Sequence, residues 1–125
     1  MTIQWHLTTR PTADVLQISG FLGDDAVSRF TGAIGWAVAR GDGPLLLDLT
    51  HLKGWSTAGR DAVAQAALQL ERESRTLELV AAPGDAVLLT TDAPVTLHQD
   101  LDAALAAHAH PRAETGGESP PRSSW

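Results

Sequence analysis

The run PLLLDL, at residues 44–49, is apolar at consecutive positions up to its aspartate. A strand with one solvated face alternates apolar and polar residues, so this run is typical of a central parallel strand that is covered on both faces. Parallel neighbours need crossover connections, which are usually helices. Helical patterns flank the run on both sides in the sequence, and the chain is therefore predicted to be an α/β protein.

Two amphipathic helices are predicted around this strand. The first has apolar residues with a 3.6-residue period from Ala26 to Val38, with Asp24 or Asp25 as its N-cap, and it stops at Gly41. The second follows a short polar turn and has a shorter apolar stripe, made of Val63, Ala66, Ala67 and Leu70.

Further strands are predicted at residues 2–9, 15–20, 76–82 and 95–98, with one short helical turn within 85–94 and a last Ala-rich helix at 99–110. Residues 2–9 alternate in polarity, which favours a half-exposed, hairpin-like pair for the first two strands. The order of elements predicts a small mixed sheet with helices mainly on one face, in a single domain of residues 1–110. The Pro/Gly/Ser-rich segment 111–125 is predicted to be a flexible tail.

Charge and composition exclude several classes of function. Fifteen acidic and nine basic residues give a net charge of −6, which argues against nucleic acid as a partner because phosphate binding requires clustered cations. Without cysteine there is no disulfide, thiolate metal site or cysteine nucleophile. No apolar run approaches the ~20 residues that span a bilayer, and the first residues lack the pattern of a secretory signal. We therefore expect a cytoplasmic protein without membrane insertion.

The sequence contains none of the familiar motifs for catalysis or cofactor binding. It has no phosphate-binding loop, no GxSxG nucleophile motif and no HExxH zinc motif, so we predict no catalytic residue, no cofactor and no enzymatic activity. His108 and His110 are two residues apart, whereas zinc-binding histidines on a helix are usually about three to five apart. We interpret this pair as a solvated helix end and predict no metal site.

The turn GWSTAGR, at residues 54–60, joins the central strand to the second helix. Ser56 or Thr57 can be the helix N-cap, and Gly59 allows the helix to pack closely on the sheet. A helix N-terminus also favours a phosphate group, so a hydroxyl here is a candidate phospho-acceptor. Trp55 is predicted to lie in a loop at the carboxyl end of a parallel strand, where it either folds over the core or contacts a partner.

The segment LLLDLTHLKGWSTAGRDAV, with VLQISGFLGDDAVSRFTGAI upstream, resembles the STAS domain of bacterial anti-sigma factor antagonists. In that family an apolar strand ends in Asp-Leu-Ser, and Asp-Ser-Ser-Gly opens the next helix; here DLT (48–50) and STAG (56–59) stand in these places. The resemblance covers residues 3–108 and implies a STAS-like domain at 1–110. It implies phosphorylation of Thr57 by an anti-sigma factor kinase, with Ser56, which replaces the family's Asp, as the alternative acceptor.

The resemblance implies a regulatory protein that binds an anti-sigma factor of the serine/threonine kinase type and acts in transcription regulation. The predicted partner-binding residues lie at strand-to-helix turns and are Asp24, Trp55, Ser56, Thr57, Arg60 and Asp61. A second branch of the family, the STAS subunits of phospholipid-transporting ABC complexes, has a similar Thr-x-Gly and binds an ATPase while unphosphorylated. A small-ligand-binding STAS module is a third interpretation, and the sequence leaves a homodimer open.

Overall fold

The computed structural model describes residues 3–91, 93 and 95–108. Within them six strands form one sheet: β1 (Ile3–Thr9), β2 (Asp14–Leu22), β3 (Leu45–Asp48), β4 (Leu52–Trp55), β5 (Leu77–Val80) and β6 (Val95–His98). The α-helices of this part of the chain are α1 (Val27–Arg40), α2 (Thr57–Arg72) and α3 (Leu101–Ala107), and its 3₁₀ helices are Asp24–Ala26 and Gly84–Thr91. None of these helices is both long and apolar enough to cross a membrane.

The sheet has the strand order β1-β2-β3-β5-β6, and β4 pairs with β2 off this path. β1 and β2 are antiparallel, whereas the other described pairs are parallel, so the predicted hairpin-like pair and mixed sheet are confirmed. The long strand β2 pairs first with β3, from Asp14 to Gln17, and then with β4, from Gly20 to Leu22. Both strands that precede α2 in the sequence, β3 and β4, are therefore paired with the same strand, β2.

Alternation along the strands divides the apolar side chains between the two faces of the sheet. Leu45 and Leu47 belong to the main core with α1 and α2, whereas Leu46 and Val80 belong to a smaller cluster that Ala104 of α3 completes. The predicted stripes of α1 and α2 are buried in the main core, through Phe30, Ala33, Ile34, Ala37, Val63, Ala66, Ala67 and Leu70. The helices thus lie mainly on one face of the sheet, as predicted.

The segments before α1 and after β5 differ from the prediction. Asp24 and Asp25 do not cap α1, because both lie in the preceding 3₁₀ helix and the N-cap of α1 is Ala26, which has no side-chain acceptor. Their carboxylates still lie near the amino end of the helix, where its dipole favours negative charge. After β5, the 3₁₀ helix Gly84–Thr91 is longer than the single turn that was predicted.

A buried ion pair lies at the edge of the sheet where the parallel strands begin. Arg75 and Asp14 are each 5% exposed, and Arg75 Nη2 donates to Asp14 Oδ2 at 3.0 Å. The guanidinium also donates to the carbonyls of Gly43, at 2.6 Å, and of Ala37 in the last turns of α1, at 2.9 Å. The Arg75 side chain therefore donates hydrogen bonds to the end of α1, to the loop before β3 and to a buried carboxylate.

The end of α3 also differs from the prediction. His108 is not a solvated helix end: it is the C-cap of α3, it is half-buried, and its Nε2 lies 2.8 Å from Glu78 Oε2 on β5. The contact joins residues 30 positions apart, so the local spacing of His108 and His110 carries no sign of it. His110 and the predicted tail 111–125 lie outside the described residues.

Candidate partner-binding site

The turn between β3 and β4 is built around a buried aspartate. Asp48 is 5% exposed, and its Oδ1 accepts hydrogen bonds from the amide of Thr50, at 3.0 Å, and from the hydroxyl of the same residue. The amide of Leu52 then donates to the carbonyl of Leu49, and the chain returns to β2 as β4. The sequence DLT is therefore a turn motif that determines where β4 begins.

Trp55 lies in a strand and not in a loop, which corrects the prediction. It is the last residue of β4 and pairs with Leu22 of β2. The four residues of β4 include Lys53 and Gly54, which have low strand propensity, so the sequence pattern does not indicate this strand. The pairing places the next residue, Ser56, so that its amide donates to the carbonyl of Leu22 at 2.9 Å.

Ser56 is the N-cap of α2. Its backbone is extended, and its Oγ accepts a hydrogen bond from the amide of Gly59 at 3.1 Å. Its carbonyl accepts from the amide of Arg60, which begins the helical hydrogen-bond pattern. Of the two residues predicted as possible N-caps, Ser56 is the cap, and Thr57 is the first helical residue.

Gly59 allows α2 to pack closely against the sheet, as the sequence predicts. A Cβ atom at this position would lie 2.1 Å from the carbonyl oxygen of Leu22 and 2.9 Å from its Cγ. Only glycine therefore allows the first turn of α2 to rest against the end of β2. The amide of Ser56 donates a hydrogen bond to the same carbonyl of Leu22. The backbone on both sides of Thr57 is therefore held against Leu22.

Thr57 is exposed at the amino end of the 16-residue helix α2. Among the described residues, no hydrogen bond involves its hydroxyl, because the capping bond to Gly59 is made by Ser56. The amides and dipole of a helix N-terminus favour a negatively charged group at such a position. The site therefore presents an accessible hydroxyl on a fixed backbone.

Asp85 joins two of the predicted partner-binding residues. Trp55 Nε1 donates to Asp85 Oδ1 at 2.8 Å, and Arg60 Nη1 donates to Asp85 Oδ2 at 3.3 Å. Trp55 is half-buried and packs against the main core. Asp85 was not predicted, because it lies 30 and 25 residues from these partners and no local pattern marks it.

Asp24 and Asp61 are exposed at the margins of the site. Asp24 begins the 3₁₀ helix that contacts α2, and Asp61 lies in the first turns of α2. The turns that follow β2, β4 and β5 thus meet at the carboxyl edge of the parallel strands, where open α/β sheets usually have their sites. We call the following six residues the α2-start surface: Asp24, Trp55, Ser56, Thr57, Arg60 and Asp61.

A family model described as "Mlab, STAS domain" matches residues 5–93. This stretch covers well over half of the chain and includes every residue of the α2-start surface. The chain belongs to the STAS domain family. The resemblance drawn from the DLT and STAG segments is thereby confirmed, together with the fold that it implies.

Solved structures share the fold of this STAS domain. An anti-sigma factor antagonist from Mycobacterium paratuberculosis is 25% identical, with a TM-score of 0.72 over 86% of this chain and 95% of that chain. SpoIIAA in its unphosphorylated form is 16% identical, with a TM-score of 0.65 over 86% and 96% of the two chains. Bacillus SpoIIAA in its phosphorylated form is 18% identical, with a TM-score of 0.60 over 84% and 98%. No curated protein matches the chain.

We expect Ser56→Ala to destabilise the STAS domain by ~1 kcal/mol, because the Gly59 amide loses the acceptor that caps α2. Thr57→Ala is the matched control: its hydroxyl makes no such bond, so the free energy of unfolding should change by less than ~0.5 kcal/mol. Urea unfolding of both variants measures the difference. Equal losses in the two variants would contradict the assignment of Ser56 as the N-cap.

Proposed function

We propose that this STAS domain is a cytoplasmic regulatory protein without catalytic activity, and that it binds its partner through the α2-start surface. The observation that carries the proposal is the exposed Thr57 hydroxyl on a backbone that Ser56 and Gly59 hold against Leu22. A surface that is already ordered loses little conformational entropy on association, which favours binding. The turns around Thr57 therefore offer a preformed surface for recognition.

The proposed partner is an anti-sigma factor of the serine/threonine kinase type, and the proposed role is that of an anti-sigma factor antagonist in transcription regulation. The 25% identity to the antagonist from Mycobacterium paratuberculosis, over most of both chains, supports this role. The net charge of −6 also favours a protein partner over nucleic acid. The antagonist would act by occupying the anti-sigma factor.

Thr57 is the proposed phospho-acceptor, with Ser56 as the alternative. Ser56 is half-buried and its Oγ already accepts a hydrogen bond from the Gly59 amide, whereas the Thr57 side chain is exposed and is more accessible for modification. A phosphate adds about −1.5 to −2 charges, which the helix amides accommodate. At an interface the same group brings bulk and a hydration shell, which the contacts with the partner would have to displace. Phosphorylation therefore releases the partner while the fold stays intact.

Thr57→Glu tests this surface by placing a negative charge at the proposed acceptor. We expect its affinity for a kinase-type anti-sigma factor from the source organism to fall at least ~10-fold, because a charge buried at an interface without a partner is strongly unfavourable. The melting temperature should stay unchanged, because an acidic residue is tolerated in the first turn of a helix. Isothermal titration calorimetry measures the affinity.

Gln65→Glu is the matched control for this experiment. Gln65 is exposed on the same helix, about two turns beyond Thr57, so its replacement adds the same charge away from the α2-start surface. The control should bind the partner as the unaltered chain does. Equal affinities of Thr57→Glu and Gln65→Glu would contradict the proposed surface.

The family description favours a second candidate function, a STAS subunit that regulates the ATPase of a phospholipid-transporting ABC complex. The matching family is described as Mlab, and the segment STAG has Ser56 where the antagonists have Asp. In this case Thr57 contacts the ATPase directly and is never phosphorylated. The same surface would then serve a permanent interface instead of a switch.

Affinity capture from the source organism separates the two candidates. The unaltered chain and Thr57→Glu are used as parallel baits, and the captured proteins are identified by mass spectrometry. The antagonist proposal predicts an anti-sigma factor kinase that is lost from the Thr57→Glu bait. An ATPase captured together with its permease would instead support the transporter role.

A further inference from the structure

Three side chains with metal-binding atoms converge on the face of the sheet that α3 covers. Glu78 lies on β5, His98 ends β6, and His108 is the C-cap of α3. His98 Nε2 lies 2.6 Å from Glu78 Oε1, and His108 Nε2 lies 2.9 Å from Oε1 and 2.8 Å from Oε2 of the same carboxylate. One potential ligand atom from each residue can be chosen so that all three lie within 4.8 Å of one another.

The carboxylate of this cluster is buried and lies within hydrogen-bond distance of both histidines. Glu78 is 6% exposed and shares its face of the sheet with Val80. Burial by itself raises the pKa of Glu78, but the hydrogen bonds and charges of His108 and His98 outweigh it and hold the pKa below its usual value. The cluster therefore offers one carboxylate oxygen and two imidazole nitrogens as potential ligand atoms.

We propose that Glu78, His98 and His108 form a binding site for a divalent transition-metal ion of the Zn²⁺ class. Two imidazoles and one carboxylate are a donor set typical of zinc and of related first-row metals. Around a tetrahedral zinc ion the ligand atoms lie about 3.3 Å apart, given metal–ligand distances of about 2.0–2.1 Å. The contacts of Glu78 with His98 and His108 need to lengthen by less than about an ångström, and the ligand atoms of the two rings, which lie within 4.8 Å of one another, need to reach the same spacing; small side-chain rotations supply both changes. Each ring binds the ion through Nε2 with its remaining proton on Nδ1.

The cluster is open to solvent on one side. Glu78 and His108 line a surface cavity together with Asp42 and Thr76, so an ion can enter without unfolding of the domain. Water from this cavity can supply the remaining coordination position, as in zinc sites with three protein ligands. The site lies apart from the α2-start surface and does not depend on the proposed function.

A bound ion would tie α3 to the sheet. The ligands come from β5, β6 and the end of α3, whereas α3 has seven residues of which only Ala104 is fully buried. A helix this short gains little stability from its own hydrogen bonds, so its docking depends on such contacts. Binding to the folded state alone raises its stability in proportion to the logarithm of the free ion concentration.

The test uses the untagged full chain, with ZnCl₂ titrated by calorimetry and the melting temperature followed at each concentration. We expect one equivalent of Zn²⁺ to bind and the melting temperature to rise, with no such rise for MgCl₂, because magnesium prefers oxygen ligands. His98→Gln and His108→Gln should each weaken Zn²⁺ binding at least ~10-fold. His51→Gln, at an exposed histidine outside the cluster, is the control and should bind as the unaltered chain does.

Zinc binding that is unchanged in both cluster variants, or absent from the unaltered chain, would overturn the proposal and leave the cluster as a carboxylate that pairs with two imidazoles. If a cluster variant fails to fold, the absorption spectrum of the unaltered chain with Co²⁺ decides instead. Intense visible bands of four-coordinate Co²⁺ with nitrogen and oxygen ligands, displaced by one equivalent of Zn²⁺, support the site. Loss of those bands in His51→Gln would contradict it.

Discussion

We expect Arg75→Met to lower the free energy of unfolding by about 3–5 kcal/mol, because it leaves one member of a buried ion pair without its partner. Methionine fills much of the volume of the arginine stem but cannot bind the Asp14 carboxylate, which is 5% exposed. The carbonyls of Gly43 and Ala37 lose their donor in the same step. Each buried polar group left unsatisfied adds its own desolvation cost.

Arg72→Met is the matched control for this prediction. Arg72 is exposed in the last turn of α2, three residues before Arg75, so its loss should change stability by about 0.5 kcal/mol or less. Chemical denaturation with identical slopes in both variants gives the comparison. If Arg75→Met is no less stable than Arg72→Met, the pair with Asp14 does not hold this edge of the sheet together.

Gly59→Ala is expected to destabilise the domain by at least about 2 kcal/mol, because the added methyl group has no room. Its Cβ would lie 2.1 Å from a backbone oxygen of Leu22, and a backbone atom cannot move aside as a flexible side chain can. The start of α2 would have to move away from β2, and the hydrogen bond between the Ser56 amide and Leu22 would lengthen. We therefore also expect weaker partner binding through the α2-start surface.

Gly35→Ala provides a control of the opposite sign. Gly35 lies inside α1, is exposed, and has no atom within 4 Å of the position of an added Cβ. Alanine in a helix interior is favoured over glycine by about 0.5–1 kcal/mol, so this variant should be more stable than the unaltered chain. Thermal unfolding of the two variants side by side checks the expected loss of stability in Gly59→Ala and the expected gain in Gly35→Ala. A neutral Gly59→Ala would contradict the close contact between α2 and β2.

The parts of the fold that the sequence predicts are those that local periodicity determines. The α1 stripe from Phe30 to Ala37 and the consecutive leucines of β3 each indicate how one element is buried, without knowledge of any other element. The strand β4 could not be predicted in this way. It has four residues, includes Gly54, and exists because β2 continues beyond the end of β3 and offers a free edge for pairing.

The candidate site also has a part that local sequence predicts and a part that it does not. Ser56 and Thr57 stand out locally as two hydroxyls before a helix, but the choice of Ser56 as the cap depends on its register against β2. Asp85 and the cluster around Glu78 are contacts between residues 20 or more positions apart. Such contacts follow from the packing of the sheet and leave no pattern in the sequence.

We propose that Thr57 is the residue through which this STAS domain is regulated. Incubation of the chain with ATP and with the proposed partner, a kinase-type anti-sigma factor, followed by phosphopeptide mapping, tests this most directly. We predict one phosphate per chain on Thr57, none on the Thr57→Ala variant, and release of the partner as the phosphate is incorporated. Phosphate on Ser56 alone, or no phosphate on either residue while the partner stays bound, would contradict the claim.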